Sequence, residues 1–222
     1  MRIQANARIS ATPSSHSAPA THSLFGSIEL MGASMTFKKG AEIYGENEPA
    51  DYVYKLVSGT ARSYKILNDG RRQIQDFYFP NDIFGLESSA EHASSAEAIS
   101  DVTVLVVRRS AILAAATRDS DVANQLWTYT SGELNHARGH AMLLVKTAQE
   151  RVASFLLQLA DRVAGNAVEL PMSRQDIADY LGLTIETVSR TLTQFQDEAA
   201  IELPSSRRVV LRNRLALNNL NA

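Results

Sequence analysis

From about residue 28 to residue 109, polar and apolar positions alternate with a period close to two, in runs rich in β-branched and aromatic side chains: MTFKKGAEIY, DYVYKLVSG, TARSYKILNDG, RQIQDFYFPND, AEAIS and VTVLVVRR. Successive side chains of a strand point to opposite faces, so each run predicts a half-buried strand. Asn68, Asp69 and Gly70 make the clearest hairpin turn, because Asn and Gly tolerate the positive φ that a tight β turn demands. Short strands at this spacing predict a small sandwich or jelly roll over residues 24–110.

After Ser110 the period changes, and apolar positions recur at helical spacing from about Ala111 to Leu159 without a proline. Leu134, Ala141 and Ala148 are seven apart, as are Thr130, Ala137 and Leu144, which marks a seam of mostly small residues that a second helix can approach closely. Two readings of that seam stay open: it packs on the chain's own barrel, or Leu134, Ala137, Ala141, Leu144 and Ala148 join two copies of the chain. The register shifts near Thr147, so a dimerisation helix over 111–146 is expected to give way to a C-terminal domain over 147–222, opened by the amphipathic run ERVASFLLQLADRV. At the other end, the stretch SATPSSHSAPATHS is small, polar and proline-bearing, and a flexible tail is expected over 1–23.

The densest local signal is SRQDIADYLGLTIETVSRTLTQFQ, from Ser173. Ser173 can cap a helix with Asp176 as its capping-box partner, and Ile177, Ala178 and Leu181 form the buried face of that helix. Gly182 stands where a tight turn needs a residue without Cβ, and Thr184 caps a second helix whose inner face is Ile185, Val188 and Leu192. Small Ala178 followed by turn Gly182 and apolar Val188 is the spacing of a helix-turn-helix; the bland alternative is a purely structural helical hairpin. Glu186 and Arg190 are four apart and share a face. They are either an intrahelical ion pair on a solvated surface or base readers, Arg190 donating to guanine and Glu186 accepting from cytosine. Ser189 and Ile185, at the exposed start of the helix, join the base-facing set, while Ser173, Thr184, Thr187 and Gln194 are expected at phosphates. Two short β-like runs, Ala200 to Leu203 and Arg208 to Leu211, read as a wing that brings Arg207 and Arg208 to the DNA backbone, or else as a solvated basic loop.

Composition changes the picture mainly by exclusion. With 45% hydrophobic, 21% charged and 7% aromatic residues over 222 positions, the chain can fill a core, and no stretch reaches the roughly 18 consecutive apolar residues of a spanning helix. Zero cysteine removes disulfides, thiolate clusters and thiol nucleophiles together. The net charge of −2 says little, but the tail from Leu203 holds Arg207, Arg208, Arg212 and Arg214 and no acid, which makes a basic patch there. Met1 and Arg2 are followed by no apolar secretory segment, so a cytoplasmic protein is expected. His136 and His140 are four apart without a third ligand, and are expected beside the seam rather than on a metal; His92 stands alone in the barrel. No G-x-S-x-G, P-loop or dinucleotide fingerprint is present, and the chain is read as no enzyme.

Glu186-Thr187-Val188-Ser189-Arg190 matches the E-x-x-S-R recognition element of FNR-like regulators, and Phe84-Gly85-Leu86-Glu87, Ser95-Ala96-Glu97-Ala98 and VLVVRRS resemble the FixK-like subgroup of the CRP/FNR family. The resemblance spans about residues 28–217 and implies an α+β chain: an N-terminal double-stranded β-helix, that is a jelly-roll barrel like a cyclic-nucleotide-binding domain, a long dimerisation helix and a C-terminal winged helix-turn-helix. It also implies a homodimer on double-stranded DNA with TTGAT and ATCAA half-sites, recruitment of RNA polymerase, and control of low-oxygen or nitrogen-fixation genes. Two departures matter. Leu86 follows Gly85 where nucleotide-binding relatives place a glutamate, and Ser95, Ala96 and Glu97 occupy the phosphate segment, where an unpaired carboxylate would repel a cyclic phosphate. The expectation is therefore a regulator that works without cAMP, iron–sulfur cluster or other cofactor, the alternative being a small effector in the barrel.

Overall fold

The computed structural model describes residues 32–163 and 165–220, so the tail expected over 1–23 and the expected start of the barrel domain lie outside the described residues. Eight strands come first: β1 (Ala33–Phe37), β2 (Glu42–Tyr44), β3 (Tyr52–Ser58), β4 (Ala61–Ile66), β5 (Arg72–Tyr78), β6 (Ile83–Phe84), β7 (Ser95–Ala98) and β8 (Val102–Arg108). They form two four-stranded sheets in the orders β1-β8-β3-β6 and β2-β7-β4-β5, with antiparallel pairing throughout. The run MTFKKGAEIY is two strands, not one, because Lys38 to Gly40 turn the chain from one sheet to the other, with the Ala41 N–H on the Lys38 carbonyl at 2.9 Å and Gly40 at φ 81°. Gly70, at φ 83°, closes the turn between β4 and β5 as its sequence demanded. Between the sheets Tyr44, Tyr54, Leu56, Phe84, Ala96, Val104 and Val106 share one apolar cluster. Each of the larger ones contributes about 1.5–3 kcal/mol by leaving water.

The helical half departs from the expected long helix. It is divided into α1 (Arg109–Arg118) and α2 (Ser120–Leu143) at Asp119, whose carboxylate accepts from the Asp121 N–H at 2.8 Å and so caps a new helix. One face of α2 is fixed to the barrel: Val122 is buried with Val53 and Ile112, and the Tyr129 hydroxyl donates to the Ile83 carbonyl at 2.5 Å. The opposite face carries Trp127 (72% exposed), Leu134 (51%), Ala137 and Ala141, and beyond the helix end lies Val145 (77%). Trp127, Leu134, Ala137 and Ala141 are therefore left uncovered by the chain's own barrel. Two expectations need correction. Ala148 is not on α2 but opens α3 (Ala148–Arg162) after a turn over 144–146, because the Thr147 and Glu150 capping box restarts the helix. His136 and His140 do not border the seam: His136 Nε2 lies 3.3 Å from an Asp76 carboxylate oxygen on β5, and the His140 ring is 4.3 Å from that of Tyr180.

The C-terminal domain continues with β9 (Ala167–Glu169), α4 (Arg174–Leu181), α5 (Ile185–Asp197), β10 (Ile201–Ser205), β11 (Arg208–Leu211) and α6 (Arg214–Asn219). The strands form a small sheet in the order β10-β11-β9. Pro204 is tolerated because β10 is an edge strand whose register breaks between Glu202 and Ser205. The core gathers Val152, Phe155, Leu156, Ile177, Leu181, Val188, Leu192 and Phe195, and it also takes in Ile74 and Phe77 of β5. The barrel and the C-terminal domain thus share apolar packing: Phe77 lies 5.2 Å from Tyr180 and 6.2 Å from Phe155, ring to ring.

Candidate nucleic-acid interface

Helix α4 begins where its sequence says it should. The Ser173 hydroxyl accepts from the Asp176 N–H at 3.0 Å and Asp176 accepts from the Ser173 N–H at 2.8 Å, a reciprocal capping box. It ends at Gly182, φ 62° and ψ 41°, and a Cβ placed there would meet nothing closer than 3.5 Å. The demand for glycine is therefore conformational and not steric. Gly182→Ala is expected to lose about 1–2 kcal/mol of stability, the usual cost of a left-handed residue with a Cβ, read as a shift of the urea midpoint.

Thr184 caps α5 by accepting from the Thr187 N–H at 3.2 Å, and the two hydroxyls lie 3.1 Å apart. The buried face of α5 is Val188, Thr191, Leu192 and Phe195. Ile185, the first residue of the helix, is not buried with them: it is 37% exposed. Ile185, Glu186, Ser189 and Arg190 line one open depression on the outer face. Glu186 and Arg190 share this face without forming an ion pair. Among the described residues Arg190 has no hydrogen-bond or salt-bridge partner, and the Glu186 carboxyl is held below its usual range chiefly by its own helix N–H and the Thr184 hydroxyl, with Arg190 the least of the causes.

Other expected phosphate contacts divide. Thr184 and Ser173 sit at helix N-termini, where free N–H groups favour an anion. Gln194 is exposed but already engaged by neighbouring side chains, accepting from Gln149 and donating to Glu198, both at 2.8 Å. Arg207, in the turn of the wing, donates to the Pro171 carbonyl at 2.6 Å, and Arg208 Nε lies 3.5 Å from Glu169. Arg212 and Arg214 pair with Glu202 and Asp161, so the basic patch is narrower than the tail's composition suggested. Sequence reasoning missed Arg174, the residue after the Ser173 cap. Its Nη1 is a buried donor without a partner, and burial followed by the neighbouring Arg207 charge pushes its pKa down. Arg174 thus lies within reach of the Arg207 charge at the start of α4.

In the barrel, Glu97 faces outward and pairs with Arg62 at 3.0 Å, while Ala96 and Ala98 point in. The expected repulsion of a phosphate by Glu97 therefore has no basis in its direction. The interior is instead filled by rings: Tyr54 stacks on Phe84 at 5.3 Å, Tyr78 on Phe84 at 4.7 Å and His92 on Tyr44 at 3.7 Å. A cleft of 890 Å³ remains between the barrel mouth, α1 and α2, bordered by Tyr78, Glu87, Arg109, Tyr129 and Glu133. Arg109 spends its guanidinium on the carbonyls of Glu87 and Ser89. Among the described residues no group of three or more His, Asp or Glu could hold a metal ion, and no helix is long and apolar enough to cross a membrane.

Comparison with known proteins agrees with this geometry. A family model of the cyclic nucleotide-binding domain matches residues 34–119, and one of the Crp-like helix-turn-helix domain matches residues 150–220. The chain is 48% identical over 202 residues to the nitrogen fixation regulation protein FixK of Azorhizobium caulinodans, covering 88% of this chain and 82% of that one. It is 37% identical to FixK of Rhizobium meliloti over 187 residues, covering 83% and 85%. The solved structure of FixK2 from Bradyrhizobium japonicum superposes with a TM-score of 0.83 at 53% identity, covering 86% of this chain and 98% of that one. With a helix-turn-helix whose second helix faces outward and a ring-filled barrel, and with these relatives, the chain belongs to the CRP/FNR family of transcription regulators, among its FixK-like members.

Proposed function

We propose that this chain is a homodimeric transcription activator that reads a palindrome of TTGAT and ATCAA half-sites without a bound effector, recruits RNA polymerase and controls low-oxygen or nitrogen-fixation genes. The observation that carries the reading is the pair Glu186 and Arg190, exposed on one face of α5 and unpaired with each other. In a major groove Arg190 can donate twice to the guanine of TTGAT and Glu186 can accept from the cytosine on the opposite strand, while Ile185 can meet a thymine methyl and Ser189 adds a shorter polar contact. Ser173, Thr184, Thr187, Arg174, Arg207 and Arg208 then serve the phosphates. The exposed stripe Trp127, Leu134, Ala137, Ala141 and Val145 supports a two-helix seam that Leu144 flanks, and a twofold dimer implies a palindrome with recognition helices one DNA turn apart. Names of the relatives support the gene class.

A mobility shift of the full chain on this duplex, with no added ligand, tests the proposal; failure to shift it better than a scrambled duplex refutes it. Arg174→Ala is expected to weaken every DNA sequence alike and to reduce the slope of log K against log salt by about one. A loss confined to the palindrome would move Arg174 to the base-reading set.

A second reading is favoured by the 890 Å³ cleft beside Arg109 and Tyr129: a small effector enters there and gates binding. Calorimetric titration with cAMP discriminates, since the primary reading expects no heat of binding.

A further inference from the structure

Away from the DNA-facing surface, a charged network joins the barrel to α4. Arg62 on β4 donates to Asp176 Oδ1 at 2.5 Å and to Glu97 at 3.0 Å. Arg72, at the start of β5, donates to the same Asp176 oxygen at 2.6 Å and to Asp179 at 2.8 Å. The four side chains of the contact are 7–24% exposed, so their charges have left most of their water. As adhesion alone this is a poor device, because apolar side chains of similar volume hold as well or better once desolvation is counted. What guanidinium–carboxylate contacts add is direction, through their planar fork geometry.

The places gripped are informative. Asp176 and Asp179 are three residues apart on one helix, so two guanidinium groups hold the same face of α4 in successive turns. Asp176 also closes the capping box with Ser173, which ties the start of the helix to the same point. Beneath, Phe77, Phe155 and Tyr180 give apolar contact without a fixed angle. The chain itself passes between the domains through the turn at 144–146. Beyond α4, α5 follows rigidly, because Gly182 and the buried pair Ala178 and Val188 lock the two helices together.

We propose that Arg62 and Arg72 are positioning residues for DNA recognition: by fixing the direction of α4 on the barrel they set the separation of the two reading helices, and so the half-site spacing that the protein accepts. The inference rests on the dimeric reading above and adds to it the group that holds the ruler.

The test is the full chain carrying Arg72→Met, Asp179→Asn, both together, or Arg72→Lys, bound to duplexes with the favoured spacing, with one or two base pairs added or removed, and with a single half-site. Folding is followed by circular dichroism. For Arg72→Met and Asp179→Asn, single half-site affinity is expected to stay within about twofold while the preference for the favoured spacing falls by about tenfold, within the usual range of coupling between sites. The double variant should be no worse than Arg72→Met, because the Arg72–Asp179 contact that Asp179→Asn weakens is already lost with Arg72. Arg72→Lys should restore part of the preference. An unchanged spacing preference in folded variants overturns the inference and leaves the dimeric reading intact, as does a half-site loss equal to the palindrome loss, which marks a role in stability only. If Arg72→Met does not fold, Asp179→Asn, which leaves the capping box intact, decides by the same two numbers. Wild-type protein indifferent to spacing overturns the dimeric reading and the inference with it.

Discussion

Replacing Asp176 with alanine is expected to lower the unfolding free energy by about 3–5 kcal/mol, the range for removing one partner of a buried ion pair. The carboxylate stands between Arg62 and Arg72 at 2.5 and 2.6 Å and also closes the α4 capping box, so its loss leaves each of two largely buried guanidinium groups with a single carboxylate, Glu97 or Asp179, and a helix start unsatisfied. Urea unfolding at neutral pH, followed by far-ultraviolet circular dichroism, measures it; a loss under about 1 kcal/mol, typical of exposed pairs, would contradict the packing described. The pH dependence has a definite sign. Burial alone would raise the Asp176 pKa, but the Ser173 hydrogen bonds and the Arg62 and Arg72 charges outweigh it and hold the carboxyl below its usual range. A carboxyl lowered on folding contributes stability above its unfolded pKa of about 3.9 and loses it as the pH falls through the folded value. The gap between wild type and Asp176→Ala should therefore be full at neutral pH and close only in acid below about pH 4.

Arg190→Ala is expected to cost about 1–3 kcal/mol on the TTGAT and ATCAA palindrome, roughly 5- to 150-fold in affinity, and to abolish discrimination at one base pair of each half-site. The protein fold should be untouched, since Arg190 packs against nothing in the core and has no partner among the described residues. Titration against duplexes changed one base pair at a time separates this outcome from the uniform loss expected of Arg174→Ala. A variant that keeps the wild-type order of preference would place the reading elsewhere on α5.

The barrel and the helix-turn-helix were legible because their signals are local. Period-two runs, the Asn68 to Gly70 turn, the Ser173 and Asp176 box and Gly182 each act within a few residues, and each is found where its chemistry requires. Elements were missed where the deciding contact is distant or the segment short. Strand β9 has three residues, too few to show a period, and exists because β11 pairs with it. The break at Asp119 carried an N-cap signal that the uninterrupted apolar period masked. The direction of Glu97, the withdrawal of Arg212 and Arg214 onto Glu202 and Asp161, and the docking of α4 on Arg62 and Arg72 join residues far apart in sequence, and no periodicity records such pairings. Arg174 became visible as a donor without an acceptor only once its surroundings were known.

The most direct measurement is sedimentation of the full chain with a labelled TTGAT and ATCAA duplex in the absence of any effector, competed with unlabelled duplexes. The account expects a complex of two chains on one duplex, displaced by the same palindrome and not by one altered at the base pair that Arg190 faces. One chain per duplex, or equal displacement by the altered and unaltered sites, would contradict it.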